Sequence, residues 1–356
     1  MMHSLHGAVL CVLAAAAVVM QCDAAITCLD EGGNPVDWFI VYKLPIIRNS
    51  SSKQVQQGYG YMYMDVHQTA LKLSTTGLNT ANHAIAHTLQ QIYSNHSSKN
   101  VGYLMYNDAL PGMDITEGEY GHTKGDLAFD ASSGFWLVHS TPRFPRNSSQ
   151  SYNWPATANK NGQTFLCVKF GYDQFETIGQ QLMYNYPQVY DSNIPPKLAK
   201  NVPSLVKVTQ GKHVTTKPWN KQVSLTSSGG QSFDSFAKFS NYGQDIYSAW
   251  LAPSLKSKLS VQTWQNGAGT KMKSYCAGSY HVENILAMNL GSEAFRHSKD
   301  HSKWAVTALK GSKWICIGDL NRMESQKNRA GGALCFENAA ARKNFLDGIT
   351  DTEKCP

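Results

Sequence analysis

Residues 121–140 read GHTKGDLAFDASSGFWLVHS, and the fold of the chain turns on them. Two apolar runs, Lys124 to Phe129 and Phe135 to His139, flank Asp130-Ala131-Ser132-Ser133-Gly134. Short polar residues and a glycine between two such runs predict a β-hairpin. His122-Thr123-Lys124 opens it. Residues 300–322, DHSKWAVTALKGSKWICIGDLNR, repeat the pattern: His301-Ser302-Lys303, an apolar run, a turn at Lys310-Gly311-Ser312, then Trp314-Ile315-Cys316-Ile317. The His-to-Trp spacing is 14 residues in the first copy and 13 in the second. A duplicated hairpin unit accounts for both.

Working outward, Val36 to Leu44 reads as a buried strand, and Gly58 to Met64 as an aromatic-rich one. Ala84, Ile85, Leu89 and Ile92 recur at helical spacing, predicting a helix over Thr80 to Tyr93 with Thr80 or Asn82 as its N-cap. Val101 to Tyr106 and Phe165 to Phe170 are further strands, and Phe175 to Tyr184 a second helix. Between residues 187 and 218 prolines and lysines accumulate without a firm period, which reads as a linker. Beyond it, Ser232 to Phe239 and Ile246 to Leu251 alternate aromatic and polar residues, and Leu259 to Trp264 is strand-like. The expected fold class is a mixed α/β (α+β) arrangement of two related β-rich halves, residues 25–186 and 219–356.

On a strand, side chains two apart share a face. A His-x-Lys on a strand therefore places an imidazole beside an ammonium, which suits phosphoryl chemistry. The imidazole can attack phosphorus or protonate a leaving oxygen, while the ammonium holds the nonbridging oxygens. Two copies answer a specific need, since nucleophile and acid require opposite protonation states. His139-Ser140 in the first half, and Asp319 with Asn321 in the second, follow the Trp strands closely enough to support the site or simply to cap strand ends. His83 and His87, four apart on the predicted helix, present half of a zinc site at most, with no third ligand placed by the sequence.

Residues 1–24 carry an uncharged apolar run from Ala8 to Met20 followed by Cys22-Asp23-Ala24-Ala25, the pattern of a cleaved secretory signal peptide. No later stretch is apolar enough to span a bilayer. Six cysteines then remain, an even number that reads as three disulfides in an oxidising compartment. Spacing does not choose their pairing. Sequons at Asn49, Asn95 and Asn147 fit the same route. With Asp23 removed, 32 basic residues face 24 acidic ones, a net charge of +8 that favours a polyanionic partner and rises further in acid as histidines titrate.

The strings PVDWFIVYKLP (35–45), GHTKG (121–125), GFWLVHS (134–140), SFAKFS (235–240), DHSKW (300–304) and GDLNR (318–322) resemble the deoxyribonuclease II family along essentially the whole chain. The resemblance implies a phospholipase D-like fold, in which two related halves form an intramolecular pseudodimer with one shared active site. It implies an acid endonuclease that cuts DNA without metal or other cofactor and leaves 3′-phosphates. It places His122, Lys124, His301 and Lys303 in the catalytic centre, with His139 and Asn321 in support. It also implies the pairs Cys28–Cys167, Cys276–Cys355 and Cys316–Cys335, and a lysosomal or secreted location. Asp130 lies six residues after Lys124, one more than the phospholipase D spacing, which puts a catalytic role for it in doubt. DNA is expected to be gripped through its phosphates with little sequence preference. The rival readings are a phosphodiesterase acting on phospholipid and a secreted, toxin-like DNA-binding protein of the same fold.

Overall fold

The computed structural model describes residues 25–113 and 118–356; the leader expected over residues 1–24 lies outside the described residues. A first sheet is built from β1 (Trp38–Lys43), β2 (Tyr61–Asp65), β3 (Lys72–Leu73), β4 (Gly102–Asn107), β5 (Lys124–Phe129), β6 (Ser133–His139), β7 (Gln163–Gly171) and β8 (Val189–Asn193). Its spatial order is β8-β4-β5-β6-β7-β1-β2-β3. A second is built from β9 (Asn220–Thr226), β10 (Ser232–Lys238), β11 (Leu259–Gln262), β12 (Val282–Leu290), β13 (Glu293–Arg296), β14 (Trp304–Thr307), β15 (Trp314–Gly318), β16 (Gly331–Glu337) and β17 (Ile349–Glu353). These run β9-β10-β16-β15-β14-β11-β12-β13, with β17 also on β12. Five antiparallel strands at the centre of each sheet match in order: β4-β5-β6-β7-β1 and β11-β14-β15-β16-β10.

The sheets face each other across one core. Trp38, Ile40 and Tyr42 of β1 point into it alongside Trp304, Val306, Ile315, Ile317 and Phe336 from the second sheet. Phe39 and Val41 point the other way, into a separate core. There they meet Ile85, Leu89 and Ile92 of α1 (Ala84–Asn95). Every residue of β1 is buried because both of its faces are covered, which is why the strand reads as an unbroken apolar run and not as an alternation. Helices α2 (Phe175–Asn185), α3 (Pro203–Thr209) and α4 (Ala339–Asp347) complete the central core through Phe175, Ile178, Leu182, Leu205, Val208 and Phe345.

The hairpins β5–β6 and β14–β15 form as expected. The Trp echo does not survive: Trp136 lies opposite Leu127, but the matching position opposite Val306 is Ile315. One residue of offset flips the face. Trp136 therefore enters the central core, its Nε1 donating to Tyr106 Oη at 2.9 Å, and Trp314 packs on the outer side of the second sheet.

Residues 187–218 are not a linker. Val189–Asn193 joins the first sheet as an edge strand on β4, and Pro203 opens α3, where its missing N–H costs nothing. The apolar positions Leu198, Val202, Leu205 and Val208 are all buried, a period masked by the surrounding prolines and lysines. The alternation at Ile246 to Leu251 also misleads: Tyr247–Leu251 is helical and buries Ile246, Tyr247 and Leu251 against the outer face of the second sheet. The three disulfides pair Cys28 with Cys167, Cys276 with Cys355 and Cys316 with Cys335. Cys316 and Cys335 face each other across β15 and β16.

Helix α1 is capped by neither Thr80 nor Asn82 but by His83, whose Nδ1 accepts from Ala86 N at 3.3 Å. His87 instead directs Nδ1 to Asp30 O and Nε2 to Asn82 Oδ1, so the two imidazoles serve different partners. Burial, reinforced by His87, lowers His83 to about 4. The unfolded chain binds this proton near 6.5, so the stability contributed by neutral His83 is complete above that pH and is lost as pH falls toward 4. The loss amounts to ~3 kcal/mol at 1.36 kcal/mol per pKa unit. His83→Asn keeps a capping acceptor and is expected to make urea-unfolding stability less steep across that window, His122 and His301 keeping their own share of the slope. An unchanged slope would refute the assignment.

Among the described residues no helix is long and apolar enough to cross a membrane. Asn49 and Asn147 are exposed, and Asn95 donates to Gln91 O at the end of α1.

Candidate active site

Both His-x-Lys elements sit at the mouths of central strands, but ahead of them: β5 begins at Lys124 and β14 at Trp304. Pleat alone therefore does not aim the histidines. Each is aimed by the other half of the molecule. His122 N–H donates to Ala330 O and His301 N–H donates to Gly162 O, both at 2.9 Å. Ala330 immediately precedes β16 and Gly162 immediately precedes β7, so the two anchors occupy matching places in the two sheets. The approach needs glycine. A Cβ on Gly121 would lie 1.8 Å from Asn185 O, and one on Gly162 would lie 2.3 Å from Asp300 Oδ1.

Around the first element, Asp108 is the organiser. One carboxylate oxygen receives Lys124 Nζ, and the other receives an Arg329 guanidinium nitrogen at 2.8 Å. His122 Nε2 stands 3.8 Å from the same carboxylate, and His122 Nδ1 meets Gln326 Oε1 at 2.8 Å. Burial alone would raise Asp108, but Lys124, His122 and Arg329 outweigh it and hold the carboxyl well below the usual range. Burial and then Lys124 push His122 well below 6.5, with Lys303 and Arg329 adding to this and Asp108 opposing it. Its side chain keeps 14% exposure.

The second element has a different neighbour. Asn107 opposes Lys124 across β4 and β5, while Gln262 opposes Trp304 across β11 and β14. Trp264 thus holds the place that Asp108 holds in the first half. Its ring lies 3.7 Å, centroid to centroid, from that of His301. Among the described residues His301 Nε2 has no hydrogen-bond partner. Burial, followed by Lys303, Lys124, Lys43 and Lys160, lowers His301 to about 3. Lys303 makes no ion pair among the described residues; burial and then the charge of Lys124 lower it to about 7. The four expected residues therefore share one electrostatic field drawn from both sheets, in which Asp108 is ion-paired to Lys124 and Arg329 while Asp319 and Asp300 also act on Lys303.

The expected supporters lie at one remove from these four residues. His139 is fully buried behind the lysines, accepting from Thr141 N through Nδ1, with Nε2 3.5 Å from Asp126 Oδ2. Asn321 Oδ1 accepts from Trp264 N at 3.1 Å, and its own N–H points to Gln326 Oε1 at 3.4 Å. It thus bonds both the residue whose tilted ring packs on His301 and the residue bonded to His122. Asp319 accepts from Gly332 N and, through burial, is raised to about 7. Asp130 lies at the far turn of the first hairpin, bound to Ser132, Ser133 and Ile26 amides. Asp108, Trp264, Gln326 and Arg329 carry no motif that could have marked them in the sequence. Among the described residues no group of three or more His, Cys, Asp and Glu side chains is arranged to hold a metal ion.

The chain is similar to known proteins over nearly all its length. It is 52% identical over 341 residues to plancitoxin-1 of Acanthaster planci, covering 95% of each chain. It is 41% identical over 337 residues to deoxyribonuclease-2-alpha of Mus musculus, covering 93% of this chain and 94% of the other. Deoxyribonuclease-2 of Caenorhabditis elegans matches at 37% over 354 residues, 92% and 93% of the two chains. The deoxyribonuclease II family profile matches residues 27–355, and the chain belongs to that family.

Proposed function

We propose that this deoxyribonuclease cleaves DNA in acid, without a metal ion, at one site shared by two phospholipase D-like halves. The observation that carries the reading is the crossing of the halves: His122 hangs from Ala330, and His301 from Gly162, at matching positions of two sheets with the same central strand order. A phosphodiester bound between the two histidines meets the field of Lys124, Lys303 and Arg329. Its negative charge offsets the cations that keep both imidazoles neutral, so protonation becomes easier once substrate is bound. One imidazole attacks phosphorus while the other protonates the departing O5′. The resulting phosphohistidine carries the 3′-linked strand. Water, deprotonated by the second imidazole, then displaces the first and releases a 3′-phosphate. Since these contacts are to phosphate, little sequence preference is expected.

Incubation with plasmid at about pH 5 in excess chelator tests this, and intact DNA would sink it. Lys124→Arg is expected to lower kcat at least ~10-fold, since a planar guanidinium cannot replace a compact ammonium beside an Asp108 already occupied by Arg329. Wild-type turnover would exclude Lys124 from the site. Entry into the secretory pathway, delivery to lysosomes or the cell exterior, and glycans on Asn49, Asn95 and Asn147 belong to the same proposal. The toxin named among its relatives supports a second outcome, a secreted protein whose effect on cells needs no cleavage. Retention of that effect by a His122→Ala, His301→Ala double variant would favour it.

A further inference from the structure

Lys43 and Lys238 are fully buried, though lysine is almost never so without a charged partner. Neither makes an ion pair among the described residues. Lys43 Nζ donates to Asn159 O and, at 2.7 Å, to Asn161 O. Lys238 Nζ donates to Arg329 O at 2.6 Å, Lys327 O at 3.0 Å and Gln326 O at 3.4 Å. The two are equivalent in the fold. Lys43 opposes Gln163, the first residue of β7, and Lys238 opposes Gly331, the first residue of β16.

The carbonyls they grip belong to the turns that enter those strands. In the first turn Asn161 O is held by Lys43, and the next carbonyl, Gly162 O, holds His301 N–H. In the second, Arg329 O is held by Lys238, and the next carbonyl, Ala330 O, holds His122 N–H. The second turn also carries Gln326 and Arg329, whose side chains reach His122 and Asp108. Desolvating an ammonium is costly, and nothing in sheet packing requires one at either place.

We infer that Lys43 and Lys238 are positioning residues, each of which fixes, through one turn of its own half, the catalytic histidine of the opposite half. Lys43 governs His301 and Lys238 governs His122. Burial lowers Lys43 to about 7 and Lys238 to about 8, so both ammoniums carry all their donors in acid. The inference rests on the proposed roles of the two histidines for its effect on turnover, while the crossed anchoring can be measured without any activity.

The experiment compares Lys43→Met with Lys238→Met in the full chain, following imidazole nitrogen resonances and amide hydrogen exchange by NMR beside kcat on plasmid DNA. In Lys43→Met the His301 ring signals are expected to move and its amide to exchange at least ~10-fold faster, with His122 unchanged; Lys238→Met should give the reverse. Each should lose at least ~10-fold in kcat with little change in KM. Lys43→Gln and Lys238→Gln, which keep an amide nitrogen with two N–H donors, should recover part of the loss, and they replace the methionine variants if those do not fold. Histidines that stay unmoved, or that both move in each variant together with a fall in Tm, would overturn the crossed assignment. A wild-type chain that leaves DNA intact would sink the nuclease mechanism while the exchange pattern still decides the clamp.

Discussion

Alanine at His122 or at His301 is expected to lower kcat/KM on plasmid DNA by roughly 10^4-fold or more, from a chain that still folds. The fold should persist because each histidine is anchored through its backbone N–H, which alanine keeps. The two variants should differ in kind. His122 has a carboxylate 3.8 Å away that opposes the burial and the lysines holding it neutral, and a fixed partner on its other nitrogen, so it is the one expected to take up a proton once a substrate phosphate offsets the lysines. His301 lies against Trp264 among lysines, with Nε2 uncommitted, which favours the neutral nucleophile. His122→Ala should therefore still form a phosphohistidine slowly with a substrate whose leaving group needs no proton, and peptide mapping should find it on His301. Phosphate recovered on His122 would reverse the roles, and near-wild-type turnover in either variant would remove both from the site.

Asp108→Asn is expected to be the next most severe change. It preserves shape but removes the carboxylate that pairs directly with Lys124 and Arg329. Breaking a buried ion pair from one side costs about 3–5 kcal/mol, because the remaining cations lose their counter-charge. The catalytic effect follows with a definite sign. Asp108 opposes the burial and the lysines that lower His122, so its removal lowers His122 further. If His122 is the acid, activity should shift to lower pH and kcat/KM should fall about 100-fold at the wild-type optimum. Denaturant unfolding and a pH–rate profile check the two halves of this expectation. A profile that stays in place or moves toward neutrality would detach Asp108 from the acid.

Much of the scaffold was legible because it depends on neighbours in the chain. The hairpins declared themselves through apolar runs around Asp130 to Gly134 and Lys310 to Ser312, and α1 through the spacing of Ile85, Leu89 and Ile92. Two segments depart from the sequence reading for different reasons: prolines and lysines hide a run of buried positions in one, and a short alternation imitates a strand in the other. Leu198 of the short helix Pro196–Ala199, Val202 at the N-cap of α3, and Leu205 and Val208 within α3 are buried positions that prolines and lysines disguise as a linker. Aromatic residues between Ile246 and Leu251 looked extended but coil around a buried face. The Trp echo failed because one residue of slip reverses a side chain on a strand.

What the sequence determined by itself was the existence of two His-x-Lys elements at the mouths of paired hairpins, hence the kind of chemistry on offer. Only the tertiary structure decided that they share one field, which carboxylate serves it and how the two histidines differ. Gln326 reaches His122 across 204 residues and Arg329 reaches Asp108 across 221. No local pattern encodes such pairs, since they arise when two sheets pack face to face and each turn is pressed against the other half. The same packing puts a carboxylate beside one histidine and an indole beside the other, and so makes two nearly identical motifs chemically unlike.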